Sequence, residues 1–154
     1  MTIDQNSIEQ ALDYFENKRF SDTSEKEILK RFPEIMSYLT SNQFNVLSDD
    51  EYMILSFDIL ILLKIILDSN ENPASVSNEL IEANEAKNWE KFEKIGNIPF
   101  IEKAYRLFDK KNKDLSEYII SSFYDEENDE DEINIPAQEI ILIAVKTIFD
   151  CFNS

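Results

Sequence analysis

The chain has 154 residues, 43% of them hydrophobic, with 32 acids against 15 bases, one cysteine, one glycine and no histidine. That length suits one domain with a buried core, while a formal charge of −17 repels phosphate backbones and anionic membrane surfaces. The missing histidine removes the commonest general base and metal ligand, and a lone cysteine excludes an intramolecular disulfide framework.

The opening stretch MTIDQNSIEQ has neither the basic region nor the apolar run of a secretory signal, so a cytoplasmic location is expected. Ser24-Glu25-Lys26-Glu27 reads as a capping box, in which hydroxyl and carboxylate satisfy orphan backbone donors at a helix start. Behind it Ile28, Phe32, Ile35, Met36 and Leu39 recur at helical spacing. Pro33 is expected to kink this segment or to start a second helix within it. Ser48-Asp49-Asp50-Glu51 is a second capping box, opening an apolar helix that runs to Asp68. Its most apolar part, 53–67, is broken by Asp58 and Lys64 and is shorter than the ~20 residues that span a bilayer. A buried helix is expected there.

Asn72-Pro73 and Asn97-Ile98-Pro99 both suit helix starts, with Asn capping and Pro in the first turn. Gly96 stands where a helix ending in Lys94-Ile95 needs a left-handed residue. Ile101, Ala104, Tyr105 and Phe108 form an i, i+3, i+4, i+7 stripe, and Asp114 can cap a short helix carrying Leu115, Tyr118 and Ile119. Between 125 and 132, seven of eight residues are carboxylates. Pro136 then starts a second very apolar helix, whose polar residues Glu139, Lys146, Asp150 and Asn153 fall on one stripe.

Sandwiches, barrels and doubly wound folds use glycine in their turns and phosphate loops, and one glycine gives them little scope. No fixed internal period appears, which speaks against a solenoid. The expected fold is all-α: a single domain, 1–154, of about six to seven helices around two central apolar ones at about 50–68 and 136–152, with an acidic inter-helix loop at about 125–135.

Chemistry is hard to place on this chain. Cys151 lies beside Phe149 and Phe152 with no histidine to activate it, and reads as a core cysteine. Asp58 and Glu139 are lone acids that fit the solvent stripes of their helices and read as surface residues. An EF-hand loop needs oxygen ligands at positions 1, 3, 5 and 12 and glycine at 6. Counted from Asp125, position 6 is Glu130 and position 12 is Pro136; counted from Asp109, positions 3 and 5 are Lys111 and Lys113. Both frames fail. No catalytic residue, metal site or cofactor is expected, and the chain reads as a non-enzyme.

Charge is more telling than any motif. Segment 42–86 holds nine acids and one base, 87–113 eight bases and four acids, and 114–145 ten acids and no base. Either the basic segment folds onto the acidic ones and neutralises them, or the molecule stays electrically polarised. Blocks of like charge are often interaction segments, so the expected partner-binding residues are Asp125, Glu126, Glu127, Asp129, Glu130, Asp131 and Glu132, with Tyr118 and Tyr124 beside them.

A small, acidic, mostly helical chain without catalytic residues is similar in general character to bacterial immunity proteins, which bind and block a toxic enzyme. That resemblance of composition implies a basic toxin domain as partner, such as a nuclease, with an acidic antidote gaining on-rate and complementarity. Two other readings stand beside it: a structural or adaptor protein of a helical complex, and a phage or mobile-element inhibitor whose carboxylates imitate nucleic-acid phosphate. None of the three involves direct nucleic-acid or membrane binding, and the oligomeric state stays open.

Overall fold

Eight α-helices and two short 3-10 turns, with no strand, make up the described residues, which are 1–17, 22–124 and 133–153 of the computed structural model. In chain order they are α1 (Gln5–Asn17), α2 (Asp22–Lys30), α3 (Pro33–Leu39), a 3-10 turn at Asn42–Val46, α4 (Asp49–Ser69), α5 (Asn78–Ile95), α6 (Phe100–Leu107), a 3-10 turn at Lys110–Asn112, α7 (Lys113–Ser122) and α8 (Ile135–Phe152). The all-α class expected from the sequence is the class observed.

The two apolar helices lie together at the centre. α8 packs against α4 on one side and α5 on another, α1, α2 and α7 pack on α4, and α6 packs on α5, α7 and α8. Ile59, Ile61, Leu62 and Leu63 of α4 and Ile141, Leu142, Val145 and Ile148 of α8 are wholly buried. Each such side chain contributes about 1.5–3 kcal/mol through removal from water. None of the described helices is long and apolar enough to cross a membrane.

The start of α4 has the capping box read from the sequence. The Glu51 amide donates to Ser48 Oγ (3.2 Å) and the Ser48 amide donates to Glu51 Oε1 (2.8 Å). Asp49, Asp50 and Glu51 place three carboxylates in the first turn, where the helix dipole favours negative charge. α8 is capped by Asn134, whose Oδ1 accepts from the Ala137 amide at 2.9 Å, with Pro in its first turn. Gly96 ends α5 at φ +93°, and Pro33 starts α3 rather than kinking a longer helix.

Several starts differ from expectation. Ser24 lies inside α2, which begins at Asp22. Asn72-Pro73 starts no helix; that stretch runs without helix to Ser77, whose Oγ accepts from the Leu80 amide (3.1 Å) and caps α5. α6 begins at Phe100 with Pro99, not Asn97, at its cap. Asp114 sits in the first turn of α7, after the Asn112 cap, and accepts from the Gln5 amide at 3.0 Å. The α6 stripe also divides: Ala104 and Phe108 are buried, whereas Ile101 and Tyr105 are exposed. Leu107 takes the inward place beside Ala104, because a helix this short buries only one narrow face.

Candidate interaction surface

Residues 125–132, which hold the seven carboxylates expected to bind a partner, lie outside the described residues. Their flanks are well anchored. On the near side Phe123 is buried, with its ring 6.2 Å from that of Phe100. On the far side Ile133 is buried, and its carbonyl accepts from Nε2 of the buried Gln138 side chain at 2.7 Å. Next to these anchors stand two exposed apolar side chains, Tyr124 (47% exposed) and Ile135 (48%). Ile135 was not among the expected binding residues. The sequence signal for it was its position one residue past the Asn134 cap, outside the buried stripe that begins at Ala137.

Tyr118 is differently placed. It is half-buried on α7 beside Asp58, and its phenol is held above its ordinary value chiefly by burial. It therefore contributes to the contact between α7 and α4. Asp58 itself corrects the sequence reading. It is 2% exposed rather than on a solvent stripe, because α7 packs over the face of α4 that carries it. Ser122 Oγ lies 2.7 Å from Asp58 Oδ2, whereas Oδ1 is buried without a hydrogen-bond partner. Burial pushes the carboxyl up to about 7, against the opposing pull of Ser122 and Tyr118. Glu139 is half-buried.

The polar stripe of α8 is half-buried at Glu139, Asp150 and Asn153 and buried at Lys146. Lys146 is buried and donates to both oxygens of Asp150, at 2.6 and 2.7 Å. Asp150 further accepts from Asn88 Nδ2 of α5 (3.0 Å), and Asn88 Nδ2 also donates to Thr147 Oγ1 (3.3 Å). Beside this seam runs an open groove of about 720 Å³, lined in part by Lys87, Lys91 and Lys94. Its groups are largely engaged already: Lys91 donates to the Leu107 carbonyl at 3.2 Å and Lys94 pairs with Glu90 at 2.7 Å. Cys151 lies at the same seam, 5% exposed, with Asn84 Nδ2 3.4 Å from its sulfur and burial holding its thiol above the usual value. It is a core cysteine.

Ion pairs decide whether the charged segments cancel. Among the described residues every pair lies within one helix, four residues apart: Lys64–Asp68, Lys94–Glu90, Lys113–Glu117 and Lys146–Asp150. No pair among the described residues joins two elements. Among the described residues, segment 87–113 forms an ion pair with an acidic segment only at its own border, through Lys113 and Glu117 at 3.5 Å. The exposed pairs Lys94–Glu90 and Lys113–Glu117 contribute little to stability, and the apolar core carries most of it. Acids such as Asp49, Asp50, Glu71, Glu79 and Glu82 remain exposed without an ion-pair partner among the described residues.

Among the described residues no group of three or more Cys, Asp or Glu side chains is placed to hold a metal ion. In comparison with known proteins, the chain matches no family model, no curated protein and no solved structure.

Proposed function

We propose that the protein is a non-catalytic binding protein of the immunity type, which docks on a basic protein partner, a toxin domain such as a nuclease, and blocks it. One observation carries this reading: no ion pair between elements neutralises the acidic segments among the described residues. A chain of charge −17, with exposed acids such as Asp49, Asp50 and Glu79 in no ion pair among the described residues, projects a field that draws in basic partners and speeds their encounter. Long-range attraction needs short-range contacts to become binding, and Tyr124 and Ile135, exposed on either side of residues 125–132, supply them. Tyrosine is enriched among the residues that dominate binding energy.

The test is co-purification with basic proteins encoded beside its gene, followed by an assay of the partner's toxic activity with and without the chain. Stoichiometric binding with loss of that activity is the expected result. Tight binding that leaves the partner's activity intact would instead make the protein an adaptor. Binding only to acidic or uncharged partners would remove the role given to charge.

A further inference from the structure

Ser122 closes α7, and its Oγ stands 2.7 Å from Asp58 Oδ2 and 2.6 Å from the carbonyl oxygen of Ile119. A serine hydroxyl has one hydrogen to donate. If Asp58 were ionised, both neighbours would be acceptors, and one of these short contacts would set two lone pairs against each other. A proton on Asp58 Oδ2 resolves the conflict: the acid donates to Ser122, and Ser122 donates to Ile119. Asp58 Oδ1 points the same way. It is buried without a partner, which is far more costly for half of an ionised carboxylate than for the oxygen of a neutral acid.

We propose that Asp58 is a neutral carboxylic acid in the folded protein, joining α4 to α7 through the relay Asp58–Ser122–Ile119, and that loss of its proton to water releases α7 from α4. The device is a pH-sensitive latch, and it stands independently of the binding reading.

Its surroundings leave the proton to this relay. From α7 the titratable group facing Asp58 is Tyr118, which opposes the upward push of burial without overcoming it. Among the described residues the named influences on the carboxyl are burial, Ser122 and Tyr118. On α1, Glu9, Asp13 and Glu16 are exposed; on α2, Lys26, Glu27 and Lys30 are exposed and Glu25 is half-buried. On α8, Lys146 and Asp150 pair with each other and Glu139 is half-buried. Burial alone carries the group up to about 7, whereas an unfolded aspartate titrates near about 4. The folded state thus binds a proton that the unfolded state has released. Stability is full below about pH 4, falls as pH rises toward about 7, and levels off above that.

The experiment compares wild type with D58N, whose amide can donate to Ser122 as the acid does. Between about pH 5 and about pH 8.5 the wild-type folding equilibrium constant should fall roughly a hundred-fold relative to that of D58N. Amide hydrogen exchange across Lys113–Ser122 should accelerate over the same range in wild type beyond its intrinsic pH dependence, and not in D58N. In case D58N folds poorly, carboxyl-carbon NMR of wild type reads the same property directly, with an Asp58 midpoint expected within about a unit of 7. An Asp58 midpoint near about 4, or the same pH dependence of stability in both proteins, overturns the proposal.

Discussion

Asn88 of α5 directs its side-chain amide at both Thr147 and Asp150 of α8, at 3.3 and 3.0 Å, and is itself only 3% exposed. This one amide ties two helices together at two points, and it shares Asp150 Oδ2 with Lys146. Such a group specifies one register of α5 on α8, since a shift along either helix would strand it.

Replacing Asn88 with leucine should therefore destabilise the protein by about 1–3 kcal/mol, the usual cost of leaving buried polar partners unpaired. Chemical denaturation measures it. A loss below about 0.5 kcal/mol would show that water fills the place and that the seam is not specific.

Two residues of α4 give a sharper contrast. Leu62 is wholly buried and Met53 is 67% exposed. Leu62→Ala should cost about 2–5 kcal/mol, and Met53→Ala should stay within about 0.5 kcal/mol. Equal effects, read as shifts in the denaturation midpoint, would mean that α4 is packed the other way round.

For binding, neutralising the acids of residues 125–132 to Asn and Gln should slow association with a basic partner and flatten its salt dependence, while dissociation changes much less. Tyr124→Ala should do the reverse, raising the dissociation rate with little effect on association. Kinetics at two salt concentrations separate the two. An unchanged on-rate in the neutralised variant would leave the run without a part in encounter.

The central helices were legible because their signals agree at every level. Ser48 and Glu51 mark a start, a long Ile and Leu run follows, and no turn residue interrupts it. α1 was there to be read as well, in the spacing of Ile8, Ala11 and Phe15, all buried. Asp58 was not legible. A lone acid on an apolar helix looks like a solvent stripe, and its partner Ser122 lies 64 positions away in the sequence. The nearness of Tyr118 to Asp58 was hidden for the same reason, since an aromatic beside acids has the same composition whether it faces solvent or a buried carboxyl. The start of α5 turned on two competing local signals. Pro73 disfavours helix at the residue before it, and Ser77, with Val76 buried just ahead of it, caps instead.

The only glycine in the chain sits at a backbone position closed to the other coded residues, at φ +93° and ψ −163°. Nothing lies within 4 Å of where a Cβ would project, so the obstacle is handedness and not space. An L-alanine there would be strained by about 1–3 kcal/mol. A D-alanine introduced by chemical synthesis meets no such strain, because its mirror-image preferences include this region, and it should stabilise the protein by about 0.4–1 kcal/mol through a less flexible unfolded chain. The turn between α5 and α6 is thus a point at which a D residue suits the backbone better than an L residue does.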